Sequence, residues 1–137
     1  MTTLARSPRP PLLRRSGALL VFTAGALHVW LWFDYFHKVH VVGTLFLLNG
    51  AAALAIAVLL VVSDGRLAPV AGLGYSLGTL AAFAISVGVG LFGYHESLLG
   101  PWQVAAGMVE LAAVPVLWVA AAQGGRRRRA DRTAPTR

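Results

Sequence analysis

The sequence has no cysteine. That excludes disulfides, thiolate metal centres, iron–sulfur clusters and a cysteine nucleophile. It is also poor in charge. Asp, Glu, Lys and Arg make up 12% of its 137 residues, against about a quarter in an ordinary soluble domain. Acids are the scarcest, with only five in all. These shortages exclude an ordinary water-soluble enzyme domain and an acidic or disordered tail protein. Hydrolase, kinase, phosphate-loop and dinucleotide motifs are missing too. Gly88-Val89-Gly90 sits inside an apolar run, without the strand and helix that a phosphate loop needs.

What the chain does have is apolar bulk. Hydrophobic residues make up 57% of it, and the mean hydropathy is +0.68. The net charge is +7, which by itself would suggest a nucleic-acid partner. The positions of the charges argue otherwise. Arg6, Arg9, Arg14 and Arg15 precede the first apolar run, and Arg126, Arg127, Arg128, Arg129, Arg132 and Arg137 follow the last. Between them stand only Lys38 and Arg66. A nucleic-acid binder gathers basic residues on a folded face beside polar or aromatic neighbours, so no nucleic acid is expected.

Four apolar stretches cover residues 17–33, 41–62, 68–92 and 102–122. Each is roughly 17 to 25 residues, the length a helix needs to cross ~30 Å of hydrocarbon. Lipid offers the backbone no partners, which favours helices, and the alternation of a membrane barrel is absent. The breaks have local causes. Charge and His interrupt residues 34–38, and Ser63-Asp64-Gly65-Arg66 is a polar turn. Residues 93–97, followed by Gly100-Pro101, part the last two runs. Pro69 and Pro101 fall in first turns, where a missing N–H is tolerated. Such short connections make sequential helices antiparallel. The expected fold is all-α and integral to the membrane, an antiparallel up-and-down four-helix transmembrane bundle. It forms one unit over residues 16–123, between a basic tail at 1–15 and an Arg-rich tail at 124–137, with residues 1–12 and 124–137 expected to be unstructured.

Eleven of the twelve Lys and Arg lie on the side of the tails and the Asp64 turn. Positive charge in short flanks marks the cytoplasmic face. A multi-pass protein of the bacterial plasma membrane with both termini cytoplasmic is therefore expected. Trp30, Trp32, Phe33, Tyr35, Phe36, Phe92, Tyr94 and Trp102 gather at the outer level, as an interfacial belt does. Tyr75 and Trp118 mark the inner level. Ala24-Gly25-Ala26 resembles a signal-peptide cleavage site, but the apolar run continues through Trp32 and Phe33, so a retained span is the preferred reading. Arg126, Arg127, Arg128 and Arg129 are expected to face anionic lipid headgroups, with a cytoplasmic docking site as the alternative.

Span three carries Gly74, Gly78, Ala82, Ser86 and Gly90 at four-residue spacing. Small residues in series let membrane helices approach closely. Internal packing is the expectation, and a homo-oligomer interface the alternative.

Ionisable residues inside a span are rare and costly, so each is a functional candidate. Glu110 lies about 12 Å below the outer end of span four at 1.5 Å per residue. It shares a face with Gln103 and Gly107. Asn49 lies at similar depth in span two, and His28 near the same level in span one. The remaining candidates are at the outer side: Asp34, His37, His40, His95 and Glu96. Three readings compete. One is a His28–Asn49–Glu110 hydrogen-bond network that fixes helix register. Another is an outer site for a metal or small molecule, with His37 and His40 at i, i+3, since imidazole with carboxylate suits Zn, Cu or Fe. The third is proton or ion handling through Glu110, because an apolar setting favours a neutral carboxyl. The spacing matches no strong metal signature. Haem held by two His is disfavoured, because only His28 lies well inside a span. No cofactor is predicted. Pro115 removes an N–H and frees the Leu111 carbonyl one turn below Glu110.

The segments His28-Val-Trp-Leu-Trp32, Gly43-Thr-Leu-Phe-Leu-Leu-Asn49, Gly88-Val-Gly-Leu-Phe-Gly93 and Glu110-Leu-Ala-Ala113 resemble those of a family of small four-span membrane proteins from GC-rich bacteria. The resemblance covers roughly residues 16–122. It implies the four-span topology and draws attention to His28, Asn49 and Glu110, without giving them a role. The expected function is that of a non-enzymatic accessory or interaction subunit, with a membrane-protein partner or a second copy. The rival is a binding or transport protein that handles a proton, metal ion or small molecule through Glu110 and the outer His cluster.

Overall fold

The computed structural model describes residues 12–96 and 100–133, with side chains as far as residue 124. The described residues are helical apart from turns and one isolated bridge, Leu91 to Tyr94. Helix α1 is Leu12–Asp34, and a 3-10 turn follows at Phe36–Lys38. Helices α2, α3 and α4 are His40–Val62, Leu67–Gly88 and Pro101–Thr133. All four are long and apolar enough to cross a membrane.

Three boundaries differ from the apolar runs, each for a local reason. Helix α1 begins at Leu12 rather than near residue 17, because Leu and Arg in its first turn are good helix formers. Helix α3 stops at Gly88, short of residue 92. Beyond it Gly90 and Gly93 adopt φ of +87° and +80°, conformations that glycine reaches without a Cβ penalty. They allow a tight turn in which the Tyr94 N–H donates to the Leu91 carbonyl at 2.9 Å. Helix α4 continues through Pro115 and past the apolar run to Thr133. The unstructured tail expected from residue 124 is therefore helical in its backbone as far as 133. The expected lipid contacts of Arg126, Arg127, Arg128 and Arg129 lie outside the described residues.

The helices meet at two ends of unlike chemistry. At the basic end, Arg14 reaches Leu60, Ser63 and Gly65, and Gly124 lies beside Arg66. At the aromatic end, Trp30 meets Trp102, and Tyr35 meets Tyr94. Helix α1 packs along both α2 and α4, and α3 packs along α4. Contact between α2 and α3 is sparse.

Arg14, grouped by sequence with the basic tail, is only 3% exposed. Its Nε donates to the Leu60 carbonyl at 3.3 Å, its Nη1 to the Gly65 carbonyl at 3.0 Å, and its Nη2 to the Ser63 carbonyl. The last carbonyls of a helix have no partner within it, and positive charge there complements the helix dipole. Arg14 thus caps α2 and ties it to α1.

Small side chains fill the half next to the basic end. Ala18, Val21, Ala53, Ala57, Leu60, Ala68, Ala113 and Leu117 form one buried cluster. Near mid-height α1 and α2 come closest. A Cβ on Gly25 would collide with that of Ala53, and one on Gly50 with Val29 Cγ2. The small-residue series of α3 is used differently. A Cβ on Gly74 or Gly78 would meet nothing within 4 Å among the described residues. Ser86 is buried, Ala82 lines a cavity, and Gly90 lies beyond the helix. Close approach inside the chain falls to Gly25 and Gly50 instead.

A second buried cluster, Leu31, Phe36 and Val42, supports the aromatic end, with Phe46 and Tyr94 against it. Along the helices the outward surface is largely apolar, with Leu48, Leu54, Val62, Leu67 and Trp118 all exposed.

Candidate functional site

Between the aromatic cluster and mid-height lies a cavity of about 120 Å³. All four helices contribute to its wall. Helix α1 places His28 and α2 places Phe46 and Asn49 there, while α3 gives Thr79 and Ser86, and α4 gives Gln103, Gly107 and Glu110. The face shared by Gln103, Gly107 and Glu110 on α4 is thus the face turned to the cavity. The three buried polar candidates, His28, Asn49 and Glu110, all line this one space.

They do not form the direct network that their depths suggested. His28 Nε2 lies 3.8 Å from Glu110 Oε1, beyond hydrogen-bond reach. Among the described residues, neither Asn49 Oδ1 nor Glu110 Oε1 has a hydrogen-bond partner, although both atoms are buried. The side chain of Glu110 is 3% exposed and that of His28 12%. Burying such groups without partners is costly.

The tautomer of His28 follows from its other nitrogen. Nδ1 sits 2.8 Å from the Ala24 carbonyl, which can only accept, so Nδ1 carries the proton. In the neutral ring, Nε2 then presents a lone pair to Glu110. Thr79 Oγ1 lies 3.0 Å from the Tyr75 carbonyl and 3.1 Å from that of Ser76, and its hydroxyl also stands beside Glu110. The inner wall therefore presents bare acceptors at His28 Nε2, Asn49 Oδ1 and Glu110 Oε1, beside the amide N–H groups of Asn49 and Gln103.

The mouth, toward the aromatic end, is different. The Tyr94 hydroxyl donates to Glu96 Oε2 at 3.3 Å, and the Glu96 N–H donates to the Ser86 carbonyl at 3.1 Å. Burial, then the nearby Glu96 and Tyr35, push the Tyr94 phenol above its ordinary pKa, so it remains a donor. Phe36 stacks on Phe46 at 4.1 Å, and Phe46 lies 5.1 Å from the His28 ring. Tyr94, Phe36 and Phe46 were not marked by sequence reasoning as cavity residues. A signal was present for Thr79 and Ser86, two hydroxyls seven residues apart in an apolar run.

The other outer candidates are not brought together. Asp34, His37, His40 and His95 are exposed. His37 Nδ1 lies 3.1 Å from the Trp32 carbonyl, and its ring lies against Trp32. His40 opens α2. Among the described residues, no three His, Asp or Glu side chains are placed to hold a metal ion. Of the outer group, only Glu96 reaches the cavity.

No family model, curated protein or solved structure matches this chain.

Proposed function

We propose that the chain is an integral membrane protein, an antiparallel up-and-down four-helix transmembrane bundle that binds or moves a small solute or a proton at the cavity bounded by His28, Asn49 and Glu110. Glu110 carries this reading. Its side chain is 3% exposed, and its Oε1 faces His28 at 3.8 Å without a hydrogen-bond partner among the described residues. A chain that needed only helix register would be as stable with an apolar residue there, because buried charged groups rarely improve on well-packed hydrophobic ones. The apolar outward faces support membrane insertion, since surfaces of that extent are not tolerated on soluble monomers. The segregation of Lys and Arg supports the bacterial plasma membrane, with the Arg14 end and both termini in the cytoplasm.

The function is tested with Glu110→Gln in reconstituted vesicles. The expected result is a folded protein, by circular dichroism and size exclusion, that no longer binds or moves the solute. Loss of fold with no ligand-dependent stabilisation of the wild type would assign Glu110 to helix register instead. Orientation has a direct test because the chain lacks cysteine. In intact cells an impermeant thiol reagent should label Lys38→Cys and spare Gly65→Cys.

A second reading, a non-enzymatic accessory or interaction subunit, is favoured by the outward-facing Gly74 and Gly78 of α3, where a Cβ would meet nothing within 4 Å among the described residues. Small residues facing lipid are suited to a helix of another subunit. A stoichiometric partner retained through purification in mild detergent is the outcome that would establish it.

A further inference from the structure

We infer that the cavity takes a small primary amine, its ammonium group held by His28 Nε2, Asn49 Oδ1 and Glu110 Oε1 and its short apolar body lying against Phe36 and Phe46. The inference rests on the reading of the cavity as a ligand site, and it names the class of ligand.

Three acceptors on the inner wall lack donors among the described residues. Asn49 Oδ1 and Glu110 Oε1 are buried without donors among the described residues. His28 Nε2 is bare in the tautomer set by the Ala24 carbonyl. Thr79 has one proton, shared between its own helix and Glu110. A carboxylate or phosphate ligand would be opposed by the Glu110 carboxylate. Water brings two donors. A primary ammonium brings three N–H groups on one centre, one for each acceptor. A quaternary ammonium brings none.

Charge agrees. Among the described residues no Lys or Arg lines the cavity beside the Glu110 carboxyl. Only Lys38 and Arg66 lie between residues 16 and 125, and neither is among the residues that line the cavity. A buried carboxylate is tolerated when it is paired and its hydrogen bonds are filled. An ammonium ligand supplies both.

Size and wall chemistry limit the rest of the molecule. At about 120 Å³ the cavity is slightly smaller than a 150 Å³ void that accepts benzene, which suits roughly five or six heavy atoms. The stacked Phe36 and Phe46 rings give an apolar surface for the alkyl part. Their faces also attract a nearby cation. The arrangement selects for a charged head with three hydrogens and a short greasy body.

The test uses the full chain purified in detergent at neutral pH and constant ionic strength. Thermal unfolding is followed with n-butylammonium chloride, n-butanol and tetramethylammonium chloride in parallel, and with benzene as an apolar probe. Saturable stabilisation by n-butylammonium alone is expected. Asn49→Ala should weaken it about tenfold, the value of one hydrogen bond to a charged group, and Glu110→Gln should weaken it more. Equal stabilisation by n-butanol, or by tetramethylammonium, would overturn the primary-amine assignment while leaving a ligand site in place. Stabilisation by benzene alone would do the same. No response to any of the four probes would overturn both the assignment and the ligand-site reading. The comparison among probes uses the wild-type chain, so it stands even if Glu110→Gln fails to fold.

Discussion

The two halves of this molecule are built from the same helices and filled in opposite ways. Toward the basic end the core is alanine with a few Val and Leu, and the helices close until glycine and alanine touch across α1 and α2. Toward the aromatic end Phe36, Phe46 and Tyr94 stand between the helices, and a cavity of about 120 Å³ opens among them. Lipid is as apolar as leucine, so tight packing, not burial, draws membrane helices together. The alanine half is packed in that way. The aromatic half leaves a cavity lined by His28, Asn49 and Glu110 beside Phe36 and Phe46.

The sharpest way to break this contrast is to add bulk to each half. Gly25→Leu should cost about 3 kcal/mol, the upper part of the usual overpacking range, because a Cβ there already collides with Ala53. Denaturant unfolding in mixed micelles measures it. Gly107→Ala, on the cavity wall, should fall within about 0.5 kcal/mol of wild type, since its Cβ meets nothing within 4 Å among the described residues. Equal losses from the two would dissolve the distinction.

Next in size is Arg14→Met, which leaves the carbonyls of Leu60, Ser63 and Gly65 without their donor. A loss of about 2 kcal/mol is expected from charge-assisted bonds, read from the same unfolding transition. Smaller again is Glu110→Gln. Its effect on stability should stay under about 0.6 kcal/mol, the average for a polar contact between membrane helices, because Oε1 has no partner to lose among the described residues, while ligand-dependent stabilisation is lost. A loss several times larger would move Glu110 from the solute site to the structural frame. Least of all, His37→Ala and His40→Ala should each change stability by under about 0.5 kcal/mol. Added zinc should not shift the wild-type transition, because no three ligands converge among the described residues.

Much of the frame could be read from the sequence, because a helix long enough to cross ~30 Å of hydrocarbon leaves a long apolar run. The depth of Asn49 and Glu110 was legible in the same way, by counting residues from the ends of runs, and the structure places both on one cavity with His28. What counting could not give was the gap between them. It depends on how side chains pack across helices distant in sequence, as Phe46 does against His28 at 5.1 Å. The glycine pattern misled for a related reason. Spacing marks a small-residue face on α3 but not which way it turns, and Gly74 and Gly78 turn outward. Arg14 was hidden by its neighbours. Next to Arg15, and in a basic flank, nothing in its sequence setting distinguishes a cap from an anchor.

That cap also has a timetable. Arg14 precedes Leu60 by 46 residues. At the rates at which chains are synthesised, 46 residues take roughly 2 to 9 seconds. Throughout that interval the guanidinium has none of its final acceptors. Until then its N–H donors are left to water. The bonds that tie α1 to the end of α2 form only once that helix is complete, so the same arginine is a solvated cation first and a latch afterwards.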